Sequence, residues 1–221
     1  MKVLFLIFYL SIILPDSYLY KIKFLGIKVA DCNVTYSDTV LYEKDFKKIE
    51  YKVSTNSFID NFFKVNNNYI IIIDDNYNTV YFKKDTSQPN LKNQIETEYQ
   101  NGFLKYKNSN IVLDKNNKNI FSILYMIYKQ DYDILNKIKI IEREGKYYNF
   151  NSEINQNKID IFLDEIDDNN NGLVKHTDIF TWGLFLDKTK KTIIYNKDKK
   201  YIEKCIFKKG ITTITANLDR N

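Results

Sequence analysis

Residue types that carry enzyme chemistry are scarce in this sequence. The 221 residues include one histidine, two cysteines, two prolines, six glycines and one tryptophan. Catalysis through a serine or cysteine nucleophile with a histidine base would depend on His176 alone. The glycines are scattered singly, so neither a phosphate-cradling loop nor a Gly-x-Ser-x-Gly elbow is present. The sequence therefore predicts no catalytic residues and no cofactor, and we expect a protein that is not an enzyme.

The chain also lacks a concentrated basic segment. Lysine and arginine total 33 against 28 aspartates and glutamates, which gives a net charge of +5. Lysines alternate with acidic residues, as in Lys44-Asp45, whereas nucleic-acid binding concentrates positive charge on one face. We interpret the lysines as a solvated surface and expect no nucleic-acid partner.

After residue 14 no apolar run is long enough to cross a bilayer. Met1 and Lys2 precede the apolar segment 3–14, which Pro15 ends. This segment is shorter than the roughly 20 residues of a spanning helix, and the layout is typical of a secretory signal peptide. We predict a signal peptide over 1–17, cleaved near the small residue Ser17, and one exported domain over 18–221 without a transmembrane span. An uncleaved amino-terminal anchor is the alternative.

Aromatic residues are abundant, with 18 tyrosines and 15 phenylalanines, and these residues favour strands. Short strand-like runs separated by Asn, Asp and Lys turns continue from residue 18 onward. The run 69–73 predicts a buried strand, and further strands are predicted at 47–58, 111–113, 137–141 and 178–186. We expect one mainly β domain with a meandering antiparallel sheet.

One segment has helical spacing instead. Ile120, Ile123, Leu124 and Ile127 recur at intervals of three and four residues, with asparagines before them as potential caps. We predict the principal helix over 119–129, packed on the concave side of the sheet.

The two cysteines leave two interpretations open. Cys32 and Cys205 could form one long-range disulfide in an oxidising compartment. They could equally be two separately buried thiols, because the sequence does not supply the geometry that a bridge requires.

A loop near residue 170 partly matches a calcium-binding EF-hand. Loop positions 1, 3 and 5 would be the oxygen ligands Asp167, Asn169 and Asn171. Position 12 is Asp178 instead of the longer glutamate, and Lys175 adds a positive charge at position 9. We therefore favour a polar turn and predict no metal site.

Four stretches together resemble a bacterial family labelled domain of unknown function 3108. They are a strand–Gly-Ile–strand unit at 20–30, a Phe-rich turn in 51–63, a Ser-x-Leu-Tyr helix at 119–125 and an Asp-centred turn in 180–193. The resemblance implies a curved, half-barrel or barrel-like antiparallel sheet, location in the periplasm of a Gram-negative bacterium, and no catalytic residues.

These observations suggest two main functions. The first is envelope maintenance by binding an apolar or lipid-like ligand on the concave sheet. The second is an assembly factor that binds an envelope protein through a sheet edge. A hydrolase with an unmarked carboxylate site is a third hypothesis. An apolar cavity of roughly a few hundred Å³ would favour the first, and a filled core the second.

Overall fold

Strands dominate the computed structural model, which describes residues 15–100, 103–166, 178–185 and 189–220, apart from the side chain of Trp182. In the first half of the described chain the strands are β1 (Asp16–Phe24), β2 (Ile27–Leu41), β3 (Lys44–Thr55), β4 (Asn66–Ile73), β5 (Thr79–Gln88), β6 (Leu91–Gln100) and β7 (Phe103–Tyr106). In the second half they are β8 (Ile140–Arg143), β9 (Lys146–Asn155), β10 (Lys158–Glu165), β11 (Lys190–Asn196), β12 (Tyr201–Lys209) and β13 (Thr212–Leu218). The helices of the described ranges are α1 (Ser57–Phe63), α2 (Ile120–Lys129), α3 (Tyr132–Leu135) and α4 (Ile179–Phe185).

All the described strands form one antiparallel sheet. Its order is β7-β6-β5-β4-β3-β2-β1-β13-β12-β11-β10-β9-β8, so β1 is central and the edges are β7 and β8. The chain meanders outward from β1 to one edge and returns from the other edge to β13, which pairs with β1. The sheet is curved and is not closed by backbone hydrogen bonds between β7 and β8. The predicted fold class is confirmed: mainly β, a curved antiparallel meander with one principal helix.

Alternation along the strands places one set of side chains inside the curve. In β2 the buried residues are Ala30, Cys32, Val34 and Tyr36, every second position. Successive strand residues point to opposite faces, so this period of two defines a concave apolar face and a solvated convex face. The predicted strand at 69–73 is confirmed as part of β4.

Helix α2 fills part of the concave interior, and its prediction is confirmed. Asn119 and Ser122 form a reciprocal capping box at its start, and Gln130 ends it in the left-handed conformation at φ +63°. All residues from Ile120 to Ile127 are buried. The helix contacts β4, β8 and β12, which are distant in the sheet order, so it lies inside the curve.

One predicted strand is wrong and another ends earlier than predicted, because local caps start helices there. The segment predicted as a strand at 178–186 is α4, whose start is fixed by the Asp178 carboxylate accepting the Thr181 N–H at 2.9 Å. The strand predicted at 47–58 ends at Thr55, because Asn56 caps α1 by accepting the Ile59 N–H at 2.9 Å. In both segments bulky apolar residues imitate a strand pattern.

Two further boundaries differ from the prediction. In the segment 111–113 the structure has only an isolated bridge, between Lys105 and Val112. The strand predicted at 137–141 begins at Ile140, since the turn after α3 occupies the preceding residues.

Candidate functional site

An apolar cavity of about 270 Å³ lies between the sheet and the two short helices α1 and α4. Helix α1 contributes Ile59 and Phe63, one turn apart, and α4 contributes Phe180 and Leu184 at the same spacing. The sheet side is made by aliphatic and aromatic residues of the central strands and the segment before β4: Ile22, Phe24, Val29, Ala30, Val53, Val65, Phe207, Ile214 and Ala216.

Among the residues that the structure describes, no free polar group faces this cavity. Thr55 is the polar side chain among its described lining residues, and its hydroxyl is already engaged on both sides. The hydroxyl donates to the Asp60 carboxylate and accepts the Val65 N–H at 2.8 Å. An ordered buried water needs roughly two to four polar partners, so the cavity suits apolar matter rather than water.

The cavity opens to solvent at one end and deepens at the other. Phe24, Phe63 and Ile179 line it and are exposed, which marks the opening. A second cavity of about 50 Å³ lies deeper and shares four wall residues with the first, including Phe180 and Leu184. The two spaces adjoin, so together they lead from the surface into the interior.

Helix α4 is held over the cavity by a buried ionic cluster of Lys84, Glu144 and Asp178. The Lys84 ammonium, on β5, pairs with the Glu144 carboxylate, in the turn after β8, and with Asp178 Oδ2 at 3.1 Å. All three side chains are almost fully buried. The Tyr69 hydroxyl also donates to Asp178. The cluster therefore connects the two halves of the sheet and fixes the first turn of α4.

Charges and hydrogen bonds control protonation in this cluster. Burial alone would raise the pKa of Asp178, but the Lys84 ammonium and the hydrogen bonds from Thr181 and Tyr69 outweigh burial and hold that pKa below its ordinary value. Burial and the neighbouring Asp178 charge raise the pKa of Tyr69 well above its ordinary value. Asp178 is thus an ionised structural carboxylate and Tyr69 a hydrogen-bond donor.

A second polar contact links the two edge strands. The Tyr106 hydroxyl of β7 donates to Glu142 Oε1 of β8 at 2.7 Å, and the Gly145 N–H donates to the same oxygen at 2.6 Å. Burial raises the pKa of Glu142 to about 7. Side chains therefore bridge the edges where backbone pairing is missing. The cavity that Glu142 and Glu144 share is only about 10 Å³. A larger space of about 480 Å³ also borders Glu142, between the segment before α2 and the strands β8 and β9, but Glu144 does not line it.

The two cysteines are buried free thiols in the structure. Both face the deeper cavity, and β1 and β13 lie between the strands that carry them. Burial raises the pKa of Cys205 to about 12 and that of Cys32 further. Both interpretations, one disulfide in an oxidising compartment or two separate thiols, stay predictions.

The EF-hand-like loop is described only at its end. Asp167, Asn169 and Asn171 lie outside the described residues, so the predicted absence of calcium binding stays a prediction. Asp178, the position 12 residue, is committed to Lys84 and to the start of α4. Elsewhere in the described residues, no three histidine, cysteine, aspartate or glutamate side chains lie close enough together to hold a metal ion.

Sequence reasoning missed the ionic cluster. Lys84 was interpreted with the other lysines as solvated surface, and this is wrong because the side chain is 1% exposed. Its neighbour Lys83 points to the other face of the sheet, so the alternation of faces along β5 was the available signal that Lys84 is buried. Glu142 and Glu144 had no sequence signal, because their burial depends on the approach of the distant strands β5 and β7.

Comparisons with known proteins identify no family for this chain. No family model matches it, and no curated protein does. A similar solved structure is the beta-barrel-like protein of domain of unknown function DUF1849 from Brucella abortus, with 8% identity and a TM-score of 0.45, covering 93% of this chain and 95% of that chain. The assignment to domain of unknown function 3108 was therefore wrong, since no family model matches this chain. None of the helices in the described ranges is long and apolar enough to cross a membrane.

Proposed function

We propose that this protein is a non-catalytic, exported carrier that binds one apolar chain, such as the acyl chain of a lipid, in the cavity beneath α1 and α4. In this proposal it serves envelope maintenance in the periplasm of a Gram-negative bacterium. The apolar cavity of about 270 Å³ with an exposed mouth carries the proposal. The signal-peptide pattern over 1–17 supports export.

The chemistry of the walls limits the ligand. Thr55 is saturated by Asp60 and Val65, so a polar group placed inside would lose its hydrogen bonds to water without replacement. An apolar chain loses nothing of this kind and gains about 0.8 kcal/mol per buried methylene. The polar end of such a ligand would stay in solvent at the mouth, beside Phe24 and Phe63.

The size of the cavity suits one slender ligand. Small-molecule sites in proteins occupy roughly 300–1,000 Å³, and about 270 Å³ is close to the lower end of that range. The adjoining cavity that reaches Cys32 and Cys205 extends the path inward. A single chain fits this outline better than a fused-ring or multi-chain lipid.

The other hypotheses have weaker support. Edge strands β7 and β8 are four residues each, and short edges are a common device against strand addition. The Tyr106–Glu142 hydrogen bond further occupies the space between them. A hydrolase built on Glu142 and Glu144 would need both carboxylates to face one substrate, but the cavity that they share is about 10 Å³, and Glu144 does not line the space of about 480 Å³ beside Glu142.

Titration with a fluorescent fatty acid whose emission rises in apolar surroundings tests the proposal. Unlabelled dodecanoate should compete, whereas inorganic phosphate should not. Ala216→Leu should weaken binding by about tenfold or more, because it displaces about two ligand methylenes at ~0.8 kcal/mol each. The matched control is Thr215→Leu, on the preceding residue of β13, which points to the opposite face of the sheet.

Gly183→Leu is a second filling variant, on α4 instead of the sheet. Circular dichroism and thermal unfolding check that each variant is folded. No saturable binding by the unaltered protein, or equal affinity in both folded filling variants and the control, would overturn the carrier proposal.

A further inference from the structure

We propose that the open end of the cavity docks on a bilayer containing anionic phospholipids, with a ring of exposed apolar side chains inserted among the lipids. This inference rests on the proposed function, because it names the membrane as the place where the carried chain is taken up or released. The docking surface itself stands on separate residues and is tested separately.

Three segments meet around the cavity mouth. They are the β1–β2 turn, helix α1 and the β12–β13 turn. The Leu25 N–H donates to the Thr213 carbonyl at 2.9 Å, and the Asn56 side-chain amide donates to the Lys28 carbonyl at 3.0 Å. These bonds make the three segments one continuous edge, which we call the apolar rim after its exposed residues: Leu25, Ile27, Phe58, Phe62 and Ile211.

Helix α1 has apolar residues on two faces. Ile59 and Phe63 turn inward to the cavity, while Phe58 and Phe62 turn outward with their ring centroids 5.8 Å apart. Phe62 is 76% exposed. A surface helix normally places polar residues on its outer face, so packing within the described chain does not account for these two phenylalanines.

The two hairpin turns show the same pattern. Leu25 lies in the β1–β2 turn at φ +47°, a left-handed conformation that asparagine, aspartate and glycine adopt more easily. Ile211, in the β12–β13 turn, is 93% exposed. At the opposite end of the sheet, the β2–β3 turn is followed by the charged pair Lys44-Asp45. The opposite end also exposes Val40 and Tyr42, but the rim places five large exposed apolar residues on three adjoining segments, and a patch of this kind indicates an interaction site.

Charge around the rim selects the partner. Lys23, Lys64, Lys208 and Lys209 lie in or beside the three segments and form no ion pair with any described residue. Asp60 is the acidic residue of these three segments, and its carboxylate accepts a hydrogen bond from the Thr55 hydroxyl. The mouth is therefore apolar at its tips and positive around them, which complements an anionic lipid surface.

A bilayer fits this surface better than a protein. Lysine is depleted in protein–protein interfaces, whereas phenylalanine and leucine flanked by lysine are typical of segments that lie in a membrane interface. The rim is also continuous with the cavity through Phe24 and Phe63. An apolar chain could thus pass from the bilayer into the cavity without crossing water.

Vesicle flotation tests the docking. The purified protein should float with vesicles of phosphatidylcholine and phosphatidylglycerol, bind those of phosphatidylcholine alone much less, and detach in high salt. The triple variant Phe58→Ser, Phe62→Ser, Ile211→Ser should bind at least about tenfold more weakly, since three large apolar side chains no longer insert. The matched control is Val40→Ser with Tyr42→Ser, which removes exposed apolar residues at the opposite end.

The two proposals fail separately. The rim variant should still bind the fluorescent fatty acid from solution, and Ala216→Leu should still float with anionic vesicles. Flotation without fatty-acid binding would overturn the carrier and support docking. Three results would each overturn docking. They are fatty-acid binding without flotation, equal flotation of the rim variant and the control, and equal flotation with neutral and anionic vesicles.

Discussion

The two flanks of the sheet and its centre differ in how the concave interior is occupied. Where β5 and β7 face β8 across the open edge, the interior holds the ionic cluster and the Tyr106–Glu142 hydrogen bond, and the cavity shared by Glu142 and Glu144 is only about 10 Å³. Beneath the central strands β1, β2, β12 and β13, the interior holds the apolar cavity. Where backbone pairing stops, side chains must join the strands, and each polar group needs a partner. Where pairing is continuous, the backbone supports the walls and the space between them need not be filled.

The largest expected effect tests the polar flank. Lys84→Ala should lower the free energy of unfolding by about 3–5 kcal/mol, because it leaves Glu144 and Asp178 buried without their cation. Urea denaturation measures it. Lys83→Ala, at the adjacent half-buried position, removes a surface ion pair with Asp85 and should change stability by less than about 1 kcal/mol. A loss below about 1 kcal/mol for Lys84→Ala would show that the cluster does not join the flanks.

The pH dependence of stability tests the second polar contact. The folded pKa of Glu142 is about 7 against an ordinary 4.5, so the unfolded chain releases this proton first as the pH rises. The stability that Glu142 contributes is complete below pH 4.5 and is lost by about pH 7. Glu142→Gln keeps an oxygen to accept the Tyr106 hydroxyl, and it should be more stable than the unaltered protein at pH 8 by on the order of 2–3 kcal/mol.

That advantage should shrink toward pH 5, and urea denaturation at the two pH values measures it. Glu153→Gln, exposed on β9, is the matched control and should show no such pH-dependent gain. If the stability difference between Glu142→Gln and the unaltered protein were the same at pH 5 and pH 8, the raised pKa could not belong to Glu142.

A smaller effect is expected over the cavity. Gly183→Ala should raise stability by about 0.5–1 kcal/mol, because glycine is unfavourable inside a helix and the added methyl would lie 3.6 Å from Ile214 Cδ1, an ordinary contact. Gly210→Ala should do the opposite, since Gly210 has φ +57°. Thermal unfolding of both variants measures this, and destabilisation by Gly183→Ala would mean that α4 packs against the sheet without spare room.

The smallest expected effect concerns the deeper cavity. With Cys32 and Cys205 as separate thiols, a reducing agent should leave the midpoint of thermal unfolding unchanged. Alkylation of the denatured, unreduced protein should add two groups by mass spectrometry. A bridge would instead give no alkylation and a stability loss on reduction of about 2–5 kcal/mol.

Elements that depend on interactions between residues close in the chain were the easiest to predict from the sequence. Helix α2 and the strand at 69–73 were predictable because their apolar spacing and caps lie within a few residues. Helices α1 and α4 were missed because Phe58 and Phe180 fit a strand pattern, and in each segment a single capping side chain outweighed that pattern. The family resemblance was misleading because short strand–turn–strand motifs recur in many β proteins.

The sequence by itself determined that the chain forms a mainly antiparallel sheet with one buried helix, because alternation and helical periodicity are local properties of the chain. Only the tertiary structure decided that β1 pairs with β13, that Lys84 is buried between Glu144 and Asp178, and that apolar walls enclose an empty space. These features depend on residues about 60 to 200 positions apart, and their contact is set by the curvature of the whole sheet rather than by any segment within it.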